Sequence, residues 1–145
     1  MSELSKAFAV GIALMGAPAF ADDAITYDFD GAFDDATFLV ESAIVDRGLV
    51  IDYVSHVGEM LNRTGADVGS DEQIFQAADV YLFCSAVISR EVMEADADNI
   101  VHCPYSIYVA DTGDGVTIGH RDYPDGAMQI VEDLLIEIAE EATVD

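Results

Sequence analysis

The sequence predicts an α+β fold, a two-layer sandwich whose mainly antiparallel sheet is laid down in the order β-α-β-β-β-β-α with short helical inserts. Three observations predict it. Five short apolar runs, alternating or continuous, recur along the chain and read as strands. Two longer stretches, one after the first strand and one at the C-terminus, carry apolar residues at helical spacing. A glycine-rich loop, Asp111 to Gly115, joins the last two strands as a hairpin and so makes them antiparallel.

Ile25 to Phe29 alternates apolar and polar residues and forms the first strand, which Gly31 ends. Phe33, Ala36, Val40, Ala43 and Ile44 then mark one helix face. Asp34 and Asp35 sit in its first turn, where the helix dipole favours acids, and Gly48 is the residue that closes it. Leu49 to Val54 is the second strand, followed by a short helix over His56 to Arg63 that stops at Gly65. Ser70-Asp71-Glu72-Gln73 has the form of a capping box and predicts a further short helix. Val80 to Ala86 is the third strand, and Ser89 is expected to cap the small helix carrying Met93. After an acidic turn at Asp96 to Asn99, the fourth strand runs from Ile100 to Ala110, with Pro104 as an irregularity. Val116 to Arg121 is the fifth. Asp125 is expected to cap the last helix, whose apolar stripe is Met128, Val131, Leu134, Leu135 and Ile138.

Residues 1–21 read as a secretory signal peptide. Lys6 is the charge of a short n-region, Ala7 to Ala17 is the apolar h-region, and Ala19-Phe20-Ala21 is a small-x-small cleavage site. The remaining 22–145 is one domain by size. The expected location is periplasmic or secreted, with no membrane attachment after cleavage. Cleavage would remove Glu3 and Lys6, leaving the net charge at −24 and no lysine. So acidic a chain excludes nucleic acid as a partner, because phosphate neutralisation needs basic patches. Its acidity points instead to a salty medium or to cationic partners. An apolar content of 52% makes it a folded protein rather than an acidic disordered one.

Cys84 and Cys103 are the only cysteines. In an exported protein two cysteines point to a disulfide. Two other readings stand beside it. One is a soft-metal site in which the thiols are joined by His102, Met93, or the pair His56 and Met60, with copper or zinc as the metal. Haem held by His56 or Met60 is the cofactor alternative, without covalent c-type attachment because no Cys-x-x-Cys-His is present. The other reading is a thiol-redox or sulfur-handling enzyme, whose cysteine needs a cationic neighbour such as Arg90 or His102. No catalytic residue is assigned. Arg63, Arg90 and Arg121 are anion candidates, should two of them converge.

The runs His56 to Asp67, Phe83-Cys84-Ser85-Ala86 and Asn99 to Tyr105 resemble the domain of unknown function 302 family. The resemblance covers about residues 25–142 and is to a secreted, cysteine-containing branch. Plainer members carry Asn-Pro near Cys84-Ser85 and Leu-Pro near Cys103-Pro104, so this chain keeps the proline and departs at both cysteines. The resemblance implies the β-α-β-β-β-β-α sandwich, a homodimer, and a connection to sulfur metabolism, without an agreed activity. The resulting expectation is a periplasmic, non-enzymatic binding or accessory domain. It would take a metal, a cofactor or a small sulfur species between the Cys84–Cys103 region and the His56–Met60 helix. The alternatives are the thiol enzyme and a purely structural, homodimerising interaction domain.

Overall fold

The computed structural model describes residues 24–144, so the expected signal peptide lies outside the described residues. The elements are β1 (Ala24–Phe29), α1 (Phe33–Asp46), β2 (Val50–Ser55), α2 (Val57–Thr64), β3 (Ala77–Cys84), α3 (Ala86–Ala95), β4 (Tyr105–Asp111), β5 (Val116–Arg121) and α4 (Gln129–Thr143). Two 3-10 turns, Ala66–Val68 and Ala97–His102, stand in the connections. The sheet order is β1-β5-β4-β3-β2 and every neighbouring pair is antiparallel. The edge strands β1 and β2 therefore run in the same direction, and α1 carries the chain from one edge to the other across one face. This is the two-layer α+β sandwich that the apolar periodicities predict.

The strand alternation decides which face is buried. Tyr81 and Phe83 of β3, Ile107 and Val109 of β4 and Ile118 of β5 point to the inner face and are fully buried or nearly so. Against them pack Ala36, Val40 and Ile44 of α1 and Val131, Leu135 and Ile138 of α4, the stripes that helical spacing marks. Each large aliphatic residue so buried contributes about 1.5–3 kcal/mol relative to exposure. α1 and α4 lie side by side and are tied at one end by Arg47, which donates to the Ala43 carbonyl and to the Glu141 carboxylate. α2 lies against the edge of β3 that β2 leaves uncovered, since β2 pairs only as far as Val80. Gly58 permits this approach: a Cβ there would stand 2.5 Å from the Ala78 amide nitrogen.

Several boundaries differ from the sequence expectation, each for a local reason. Ser70 to Gln73 form no helix. Between Gly69, which has φ 76, and the start of β3 there is room for at most two turns, and Ile74 is half exposed. Such a segment cannot offset helix nucleation by packing, and Ser70 Oγ instead accepts from the Glu72 amide at 3.4 Å. The cap of α3 is Ser85, whose Oγ accepts from the Ile88 amide at 3.3 Å. Ser89 lies inside the helix with its Oγ 3.0 Å from the Tyr105 hydroxyl.

Ile100 to His102 belong to a 3-10 turn rather than to β4. Asp96 Oδ1 caps that turn by accepting from the Asp98 amide, and Asn99 Nδ2 ties it to the Val92 carbonyl at 2.8 Å. With those groups engaged and no amide hydrogen on Pro104, the ladder starts at Tyr105, opposite Phe83. Asp125 does not cap α4. That helix begins at Gln129 after Met128, and Glu132 reaches back to accept from the Tyr123 amide at 2.8 Å, which pins the preceding loop.

Candidate functional site

The two cysteines meet at one end of the sheet. Phe83 pairs with Tyr105 on the inner face, so Cys84 turns to the outer face with Leu82 and Val80. Tyr105, Ile107 and Val109 point inward. Cys103 precedes β4, just after the turn that ends at His102, and is free of the strand alternation. That freedom lets its thiol come within hydrogen-bond reach of the Cys84 thiol, which also receives a hydrogen bond from the Tyr105 amide. The meeting point is therefore a half-buried rim and not the core.

Burial foremost, and then the facing Cys103 thiol, push the Cys84 thiol up to about 11. Asp52, in the bulge of β2, adds in the same direction. A nucleophilic or metal-binding cysteine wants the opposite, a cationic neighbour that favours thiolate. Arg90 does not supply it, because its guanidinium pairs with Glu94 at 2.8 Å along α3. Below the thiols lies an aromatic cluster that no spacing along the chain announces. Tyr123, buried, meets the ring of His102 edge-on at 5.5 Å and that of Tyr105 at 6.4 Å. Burial raises the pKa of both tyrosines. His102 Nδ1 is buried without a hydrogen-bond partner among the described residues.

His56 and Met60 lie elsewhere. They belong to α2 and its cap, beside the start of β3. From Asp79 to Cys84 the strand advances about 17 Å, so the expected single site spanning His56, Met60 and the cysteines divides into two. Met93 packs against the core, and among the described residues no three His, Cys, Asp or Glu side chains converge as a metal site.

At the α2 end, His56 Nδ1 is 2.7 Å from Asp79 Oδ1. The imidazole is 60% exposed while the carboxylate is 16% exposed, so a held acid orients a ring that faces solvent. The hydrogen bond to Asp79, and then its charge, raise the His56 pKa. With Nδ1 engaged, Nε2 is left to face a cleft of about 480 Å3 that Glu59, Asn62, Arg63 and Gln76 also line. Asp79 is the partner of His56 that sequence reading missed. The signal was there in the alternation, since Asp79 shares the inward-facing positions with Tyr81 and Phe83, and an acid in such a place needs a partner.

The three candidate arginines are on three separate elements, Arg63 on α2, Arg90 on α3 and Arg121 at the end of β5. Arg63 shares the cleft with His56. Arg121 lies near enough to Tyr123 to oppose the effect of its burial.

The family model for the domain of unknown function DUF302 matches residues 24–144. The fold is similar to that in a crystal structure of an uncharacterized conserved DUF302 protein from Bacillus stearothermophilus. The TM-score is 0.60 at 14% identity, over 82% of this chain and 91% of that one. No curated protein matches the chain. With a family-model match over residues 24–144, all of the described residues, the chain belongs to the DUF302 family.

Proposed function

We propose that the chain is an exported, non-enzymatic binding or accessory domain in which Cys84 and Cys103 close a disulfide staple and the His56 cleft takes the ligand. The observation that carries this reading is the pair of facing thiols at the junction of β3, α3 and β4. Closing the bond would release two protons and two electrons. A disulfide-bearing oxidant of the exported compartment would take them and be reduced to its own dithiol. A thiol pKa pushed up to about 11 favours a structural pair over an attacking nucleophile, and so argues against the thiol-enzyme alternative. The absence of a third converging ligand among the described residues argues against a thiolate metal centre at the same place. That leaves the cleft at α2, with its oriented imidazole and Arg63, as the place for a metal, a cofactor or a small sulfur species.

Counting thiols in freshly exported protein tests the staple. No free thiol before reduction and two after it, under denaturing conditions, are expected; two free thiols before reduction would overturn the reading. Titrating the oxidised protein with Cu(I), with haem and with thiosulfate tests the cleft. One of the three should bind the wild type and lose binding in His56→Ala. Equal binding by both proteins would remove the cleft from the proposal.

A further inference from the structure

Acids outnumber bases 29 to 5 along the chain, so a cation without an acidic partner calls for a reason. Arg47 pairs with Glu137 and Glu141, and Arg90 pairs with Glu94. Arg63 has no ion pair among the described residues. It lines the cleft at α2, and so does Glu59, one turn before it and at the spacing where an acid can reach a base. The guanidinium therefore faces a space of about 480 Å3 with its charge uncommitted.

The second donor of the cleft is His56. Asp79 engages its Nδ1 and leaves Nε2 to the cleft. Arg63 follows His56 by seven residues, nearly two full turns, so it returns to the same side of α2 about 10 Å along the axis. Helical side chains lean toward the N-terminus, which lets the long Arg63 side chain reach back toward the imidazole. Asn62 Nδ2 donates to the Phe75 carbonyl at 3.2 Å and so holds the wall of the cleft rather than a ligand. Three charged groups face the His56 ring, Asp79 from β3 and Glu59 and Arg63 from α2. Asp79 foremost, and then Glu59, favour its protonated form. A metal ion suits this set poorly, because the guanidinium repels it and no three His, Cys, Asp or Glu side chains converge among the described residues. Two N–H donors that are both cationic suit an oxyanion.

We propose that the cleft at α2 takes a small, doubly charged oxyanion, of the sulfate or thiosulfate kind, held between the His56 imidazolium and the Arg63 guanidinium, a narrowing that rests on the reading of this cleft as the ligand site. Asp79 is the positioning residue, turning Nε2 to the ligand and keeping the ring charged. Glu59 is the built-in competitor, since it can take Arg63 along α2 when the anion leaves. Sulfate and thiosulfate stay doubly charged from acid to alkaline solution, so any pH dependence belongs to the protein. Binding is strong below the raised His56 pKa and is lost as pH rises through it, down to what Arg63 alone provides.

The test is NMR titration of the purified protein with sodium sulfate, sodium thiosulfate and sodium acetate at fixed ionic strength, read at the His56 ring and the α2 amides. Sulfate and thiosulfate should bind alike, and about tenfold more tightly than the singly charged acetate. Bound sulfate should move the His56 titration midpoint up by about one pH unit, the reciprocal of a tenfold preference for the imidazolium. Arg63→Gln and His56→Gln should each weaken sulfate about tenfold, and His56→Gln should also flatten the pH profile. Glu59→Gln should tighten sulfate about twofold, a gain that a merely structural role would not give. Asp79→Asn should shift the pH profile to lower pH and keep the affinity of its acid limb. Sulfate affinity that is unchanged in folded Arg63→Gln or His56→Gln, or that ignores pH, overturns the proposal. Thiosulfate binding without sulfate binding puts recognition on the sulfur atom and overturns it too. Cu(I) or haem that binds through His56 while the anions do not overturns the oxyanion and leaves the cleft as the ligand site. Silence from every one of these probes removes the cleft as well.

Discussion

Reducing the proposed Cys84–Cys103 bond should destabilise the oxidised protein by about 3 kcal/mol. The figure follows from the 18 residues between the two cysteines. In the chain-entropy picture, a closed loop of about that length removes roughly 11 cal/mol/K of freedom from the unfolded chain, which is about 3 kcal/mol at room temperature. The folded structure should deliver most of this, because the thiols already face each other and the bond needs little backbone movement. Urea unfolding of the oxidised and reduced protein, at a salt concentration that screens the −24 charge, is the assay. With a slope of about 1.5 kcal/mol/M, the midpoint should fall by about 2 M on reduction. The same fall is expected in Cys103→Ser without reductant, and reductant should then have no further effect. A shift under about 0.5 M, with the bond verified by intact mass, would refute the reasoning. It would mean that α3 and the following turn persist in the unfolded chain and leave the bond little freedom to remove.

Gly58→Ala places a methyl group against the Ala77–Ala78 backbone and should cost about 1–3 kcal/mol through overpacking; unchanged thermal stability would show that α2 can move aside freely. Asp79→Asn should lower the His56 pKa toward its ordinary 6.5, read by NMR titration of the ring. Because the folded pKa is raised, the wild type's advantage over this variant is complete below pH 6.5 and is lost as pH rises through the folded pKa. A wild-type His56 pKa at or below 6.5 would sink that account. Arg47→Ala removes the link between the end of α1 and Glu141 of α4. The expected loss is about 1 kcal/mol, discounted for the exposure of Glu141 and diminished further in high salt, and a thermal melt that does not respond would place the pair among neutral surface contacts.

The fold was legible because its signals are local and repeated. The α1 stripe of Ala36, Val40, Ala43 and Ile44 is the buried set observed, and β5 runs over the residues that alternation marks, Val116 to Arg121. Where single-residue turn chemistry decides the outcome, the reading went astray. Ser85 and Ser89 are both acceptable caps by type, and the choice between them depends on where β3 ends, which is settled by its pairing with β2 and β4. Ile100 and Val101 look like strand residues, but Asp96 and Asn99 engage the backbone before a ladder can form, and both apolar side chains stay exposed. The capping box at Ser70 was a correct pattern in a segment with no apolar face to pack.

The site was legible only in its sulfur half, and the reason is geometric. Cys84 and Cys103 close a short connection between two adjacent antiparallel strands, so local sequence suffices to bring them together. The inward or outward sense of each strand was the part that alternation alone could not supply. Cys84 falls on the outer face because Tyr81 and Phe83 are the better core residues, and Cys103 escapes the question by preceding the strand. The histidine half needed a contact from Asp79, 23 residues away, through a helix packed against a strand edge. No spacing rule predicts that contact, since Gly58 sets the approach of α2 to β3 and only then do His56 and Asp79 come within reach. The geometry sets the two candidate features apart. On the proposed reading a Cys84–Cys103 bond would hold the end of the sheet where β3 gives way to α3, while the oriented imidazole stands at the opposite end, beside a cleft that the thiols do not line. Oxidation state should therefore change how firmly the domain is held without directly changing what the cleft can bind. A protein that used its thiols on the ligand would need the two halves together.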